Sequence, residues 1–336
     1  MKRKTNLIPI LGFIILTGMV TLLMISSSIE AWIFHPATGL IAIIILFGAL
    51  VSIYYEGKDL LSELKDRASF SRQFLEFLAV FLGGVITSYL SYEIGMGVVV
   101  ASSVVAIIVD LIWPDYGVPA FCGSFVGMSS NLLFFNYYEV ALASMIGGLV
   151  YVLTRDTFSG FGGKLGTIAF IAAAITGLGL RRPFIIAPVT DLQISGLVIL
   201  ISLIATPLTF YLNCDKGHGP VMASGVVGLL GGLILPPLFP VHGTLLAVVA
   251  FCASFTGMSN TKRCPAFWLI LVAGLFTGVL FVFSIPLLGG AGGKLGTIAF
   301  ASILSTYGFI HLYETHFEHD VRHQSNQEHE GTGQKT

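Results

Sequence analysis

The chain has 336 residues, of which 55% are hydrophobic and 10% charged, with a formal net charge of −1 and a mean hydropathy of +0.88. So apolar a composition excludes an ordinary soluble domain, and a charge near zero excludes the broad basic field of a nucleic-acid binder. The four cysteines, Cys122, Cys214, Cys252 and Cys264, have neither paired-ligand spacing nor the density of a disulfide scaffold, and read as small apolar packing residues.

A helix needs about 20 apolar residues to cross the hydrocarbon core. Windows of that size predict an all-α polytopic membrane protein with about twelve transmembrane helices, at 7–28, 36–54, 73–92, 95–113, 118–134, 136–154, 166–180, 192–213, 220–239, 242–258, 266–287 and 296–313. The first window follows Lys2-Arg3-Lys4, but its apolar run is longer than that of a secretory signal, and no small-residue cleavage site follows it. It is expected to be retained. The segment from Glu56 to Arg72 is charged and long enough for a short amphipathic cytoplasmic helix.

With the amino terminus in the cytoplasm, most lysines and arginines fall inside and only Arg181, Arg182 and Lys294 fall outside. The bias predicts a multi-pass protein of the cell membrane (plasma or inner) with both termini cytoplasmic. Arg181-Arg182 runs against it, as though 166–180 does not cross fully.

Two blocks recur at a fixed offset of 130 residues. Phe121-Cys122-Gly123-Ser124-Phe125-Val126-Gly127-Met128-Ser129-Ser130 returns as Phe251-Cys252-Ala253-Ser254-Phe255-Thr256-Gly257-Met258-Ser259-Asn260, and Gly162 to Phe170 returns identically as Gly292 to Phe300. A constant offset across separate blocks marks an internal duplication. The repeated unit holds five predicted spans, an odd number, so its two copies are expected to face opposite ways, as in inverted-repeat transporters. The chain then divides into 1–72 (two helices and the charged segment), 73–182 (first repeat), 192–313 (second repeat) and 314–336 (a polar, His-rich cytoplasmic tail).

The Gly-Gly-Lys-Leu-Gly-Thr blocks are not phosphate loops, because Leu165 and Leu295 stand where such a loop has Ser or Thr after its lysine. Glycines beside a helix start, with Lys164 or Lys294 and Thr167 or Thr297, suggest instead a positive half-site for an anion or a polar solute. The alternative is that the lysines snorkel and the glycines tighten packing. Ser124 and Met128 share one helical face with Gly127 and Ser129 beside it, as do Ser254 and Met258 with Gly257 and Ser259, either to line a path or to pack helices closely. Asp110, near the end of the fourth window, is a candidate coupling acid whose bland reading is an interfacial carboxylate. His316, His319 and His323 share a helical face and suit a metal, or else lie on a solvated tail.

The expectation is a transporter or channel for a small polar solute, anions included, with its path between two inverted repeats. The alternative is a non-transporting scaffold or sensor that binds a partner or metal through its tail. No clustered His, Asp and Glu constellation lies within the spans, so no enzyme and no cofactor are expected. The expected partners are a small-molecule or ion substrate, the lipid bilayer and a second copy in a homo-oligomer, with no nucleic acid.

Overall fold

The computed structural model describes the backbone of residues 7–62, 70–186 and 192–333, and side chains over 8–60, 70–186 and 194–316. Among the described residues there are twelve α-helices: α1 (Leu7–Phe34), α2 (Pro36–Ser62), α3 (Phe70–Tyr92), α4 (Val98–Ile112), α5 (Pro114–Gly127), α6 (Tyr137–Thr154), α7 (Lys164–Gly179), α8 (Leu192–Phe210), α9 (Pro220–Leu238), α10 (Gly243–Gly257), α11 (Phe267–Ser284) and α12 (Lys294–Gly333). A π-helical turn, Tyr211–Asp215, extends α8 a few residues after Pro207. Of the charged segment from Glu56 to Arg72, residues 56–62 continue α2 and 70–72 begin α3, and 63–69 lie outside the described residues.

Helix count and span count separate. Eight helices are long and apolar enough to cross a membrane, and Val98–Ile112, Lys164–Gly179 and Gly243–Gly257 are shorter apolar helices. At about 1.5 Å rise per residue, a helix of 14 to 16 residues covers only about 21–24 Å of a core about 30 Å thick. Irregular chain completes these segments: Met128–Asn136 after α5 and Arg155–Gly163 before α7, where Thr157, Phe158, Phe161 and Gly162 are buried. Non-helical backbone at depth is tolerated where protein surrounds it. The outer surface carries side chains such as Ile14, Ile33, Leu111 and Trp268, exposed as a lipid solvent allows.

Local chemistry sets the helix ends. The side chain of Asn136 accepts from the Glu139 amide at 3.1 Å and caps α6. Pro114 and Pro220 stand in the first turns of α5 and α9, where a missing donor costs nothing.

The helices of the two duplicated segments pack alike. α3 lies on α5 and α6, as α8 lies on α10 and α11, and between the segments α4 meets α9 and α7 meets α12. The atoms agree. Ser102 and Ser124 share a hydrogen bond of 2.7 Å, and Ser224 and Ser254 share one of 2.8 Å. Gly127 lies against the Gly84 carbonyl and Gly257 against that of Thr206, so backbones touch where small residues permit it. A non-glycine residue with positive φ recurs at the same offset, Phe158 at 49° and Leu288 at 43°.

The α1–α2 hairpin lies outside the duplication and packs on α6, α11 and α12. One residue ties it to both copies. Arg263, just after α10, pairs with Glu56 of α2, donates from Nε to the Ser159 carbonyl at 3.1 Å, and lies over the rings of Phe161 (4.2 Å) and Tyr307 (4.8 Å). A guanidinium held by a carboxylate and two ring faces is compensated on every side, as a charge inside a membrane protein must be.

Candidate functional site

The two repeated blocks meet at the centre of the bundle, and their contacts are reciprocal. The Gly162 amide donates to Ser259 Oγ at 3.0 Å, and the Gly292 amide donates to Ser129 Oγ at the same distance. The Ser130 amide donates to Gly290 O at 2.8 Å, and the Asn260 amide to Gly160 O at 3.0 Å. α7 and α12 cross so closely that a Cβ on Gly166 would stand 2.5 Å from the Gly296 Cα. The two lysine blocks therefore touch at their glycines. Both helices start inside the bundle, so the glycines of the two blocks lie at its centre and not at a surface.

Each lysine turns back from that crossing to the loop before it. Lys164 Nζ donates to the carbonyls of Arg155 and Thr157 at 2.9 Å each and of Thr154 at 3.4 Å. Lys294 Nζ donates to those of Ile285 and Leu287 at 2.9 Å each. α6 ends at Thr154 and α11 at Ser284. The ammonium groups are thus side-chain caps on the carbonyl ends of the preceding helices, where helix dipoles favour a cation. Replacing Lys164 by Met keeps the stem and removes the cap, so Lys164→Met should lower stability by about 2 kcal/mol, read as a lower unfolding temperature in detergent, while Lys164→Arg should keep most of it.

The other predicted residues also lie at this seam. Ser124 and Ser254, fully buried, donate to the Phe121 and Phe251 carbonyls at 2.8 and 2.7 Å besides pairing with Ser102 and Ser224. Thr167 and Thr297 are buried one turn above Gly163 and Gly293. Gly127 and Gly257 end α5 and α10, and Met128 and Met258 follow, partly buried.

Sequence reading did not single out the phenylalanines of the same block. Phe121, Phe125, Phe251 and Phe255 form one cluster across the seam, with centroids 4.6 Å apart for Phe125–Phe255 and 6.1 Å for Phe121–Phe251. All four are buried. Their signal was present as Phe-x-x-x-Phe in both copies.

A cavity of about 390 Å³ opens above the quartet, walled by Phe158, Gly162 and Lys164 and floored by Phe125, Phe255 and Met258. Its rim carries Arg72, Asp115, Arg155 and Asp156, and Arg72 and Arg155 both reach Glu76 Oε1, at 3.3 and 3.2 Å. A second cavity, of about 250 Å³, adjoins Ser129, Tyr92, Asn131 and Glu93. Along α3 the first cavity is reached at Arg72 and the second at Ser88 and Tyr92, while across the seam Phe125 of the first lies one helical turn from Ser129 of the second.

The remaining candidates lie away from the seam. Asp110 packs against Gly117 at the start of α5. His316 is exposed on α12, and the side chains of His319 and His323 lie outside the described ones. Among the described residues no three His, Cys, Asp or Glu side chains form a metal-sized group. Arg182, the anomaly of the charge count, pairs with Glu139 and lies 4.2 Å over the Phe135 ring.

No family model, curated protein or solved structure matches this chain.

Proposed function

We propose that this chain is a multi-pass membrane transporter or channel for a small polar solute, with its path between two inverted repeats and both termini in the cytoplasm. The observation that carries the reading is a cavity lined by residues of both repeats, with the touching rings of Phe125 and Phe255 among its lining. A seam packed dry along its whole length would favour a scaffold instead. A ring constriction beneath an aqueous cavity is the form of a hydrophobic gate, which blocks passage by excluding water.

Support for the inverted arrangement comes from two directions. Reciprocal contacts, in which each copy offers the other the same atoms, are the mark of a two-fold relation. The ends of the N-terminal hairpin fit an axis in the membrane plane: Phe13, near the start of α1, stacks on Phe158 at 4.9 Å, and Phe34, at its end, meets Phe283 at 5.7 Å. Phe158 follows α6 and Phe283 lies near the end of α11, so the equivalent helices α6 and α11 finish at opposite ends of α1.

The test is solute flux into vesicles holding a chain whose native cysteines are replaced by Ala and whose Met258 is replaced by Cys. A thiol reagent attached at this floor position should stop the flux.

A further inference from the structure

The charged side chains expected to attract an anion are engaged inside the protein. Lys164 and Lys294 cap the ends of the preceding helices, the Gly162 and Gly292 amides, two residues before α7 and α12, donate to Ser259 and Ser129, and Arg155 is turned onto Glu76. At the constriction the groups that meet are four phenyl rings, and the nearest hydroxyls, Ser124 and Ser254, are already bonded to Ser102, Ser224 and the Phe121 and Phe251 carbonyls. An ion passing this point would shed water and find no compensating charge, at a cost of at least about 2.5–3.5 kcal/mol near the bilayer centre. A neutral polar solute sheds less and keeps the ring faces as partners.

We infer that the path selects small uncharged polar solutes and rejects anions and cations of the same size. The inference rests on the transport reading above and narrows its substrate class. It replaces the anionic solute suggested by the two lysine blocks, because those lysines are turned onto the carbonyl ends of the helices before them.

The test uses the unmodified chain in lipid vesicles and measures influx of size-matched pairs by light scattering: methanesulfonamide against methanesulfonate, and urea against guanidinium. Counter-ions are made permeant, potassium with valinomycin for the anion and thiocyanate for the cation, so that charge build-up limits neither. The neutral member of each pair should enter at least about tenfold faster than into protein-free vesicles, equivalent to about 1.4 kcal/mol, with no such gain for the charged member. Equal acceleration of methanesulfonate or guanidinium would overturn the inference while leaving transport intact. Acceleration of none of the four would overturn the transport reading, and the inference with it.

Discussion

Vesicles carrying Phe125→Ala/Phe255→Ala are expected to pass solute about tenfold faster than those carrying the unmodified chain, a barrier lower by about 1.4 kcal/mol. The two rings are the closest pair across the seam, at 4.6 Å, and both also line the cavity. Removing them joins the cavity to the space between Phe121 and Phe251, whose centroids are 6.1 Å apart. Water then enters a segment that ring packing kept dry, and the selectivity against charge should weaken together with the barrier. Stability should fall as well, by about 3–5 kcal/mol for each buried ring removed, so flux has to be normalised to folded protein recovered in the vesicles. The single changes should each give a smaller gain in flux, because the remaining ring still closes half of the gap.

The second large effect is on folding. Gly163→Ala and Gly293→Ala should each abolish recovery of monodisperse protein on size exclusion in detergent. Gly163 has φ of 80° and Gly293 of 87°, conformations that an L side chain adopts at a cost of about 1–2 kcal/mol. The added Cβ has nowhere to go, since at Gly163 it would overlap the Gly296 carbonyl oxygen and at Gly293 that of Gly166. Strain and overlap act at the same place, and the crossing of α7 and α12 holds the two copies together, so the damage is not local. Gly179→Ala and Gly196→Ala, whose Cβ positions meet nothing within 4 Å, should leave recovery unchanged.

Much of this arrangement was legible in the residues. The twelve apolar windows correspond to the twelve helices, and the two duplicated blocks lie where the two packing units touch. The short helices were less legible, because a hydropathy window counts apolar residues and not backbone hydrogen bonds. Leu132 to Phe135 is apolar throughout yet is irregular chain after α5. The partners of the lysines were illegible for a related reason. They are carbonyl oxygens seven to ten residues earlier, and a carbonyl leaves no mark in a sequence. The phenylalanine quartet was written in both copies, but an aromatic residue in a membrane segment reads first as packing, and only the meeting of the copies turns four such residues into a constriction. Arg263 and Glu56, 207 positions apart, are brought together by the hairpin packing, which no periodicity in the chain announces.

The central claim is that solute passes between the two copies, over the floor formed by Phe125, Phe255 and Met258. It is tested most directly by measuring neutral-solute influx into vesicles holding the cysteine-free chain with Met258→Cys, before and after reaction with a charged methanethiosulfonate. The account predicts that influx falls to the level of protein-free vesicles after reaction, with no change in the cysteine-free parent. Complete labelling of Cys at this position with influx unchanged would contradict it.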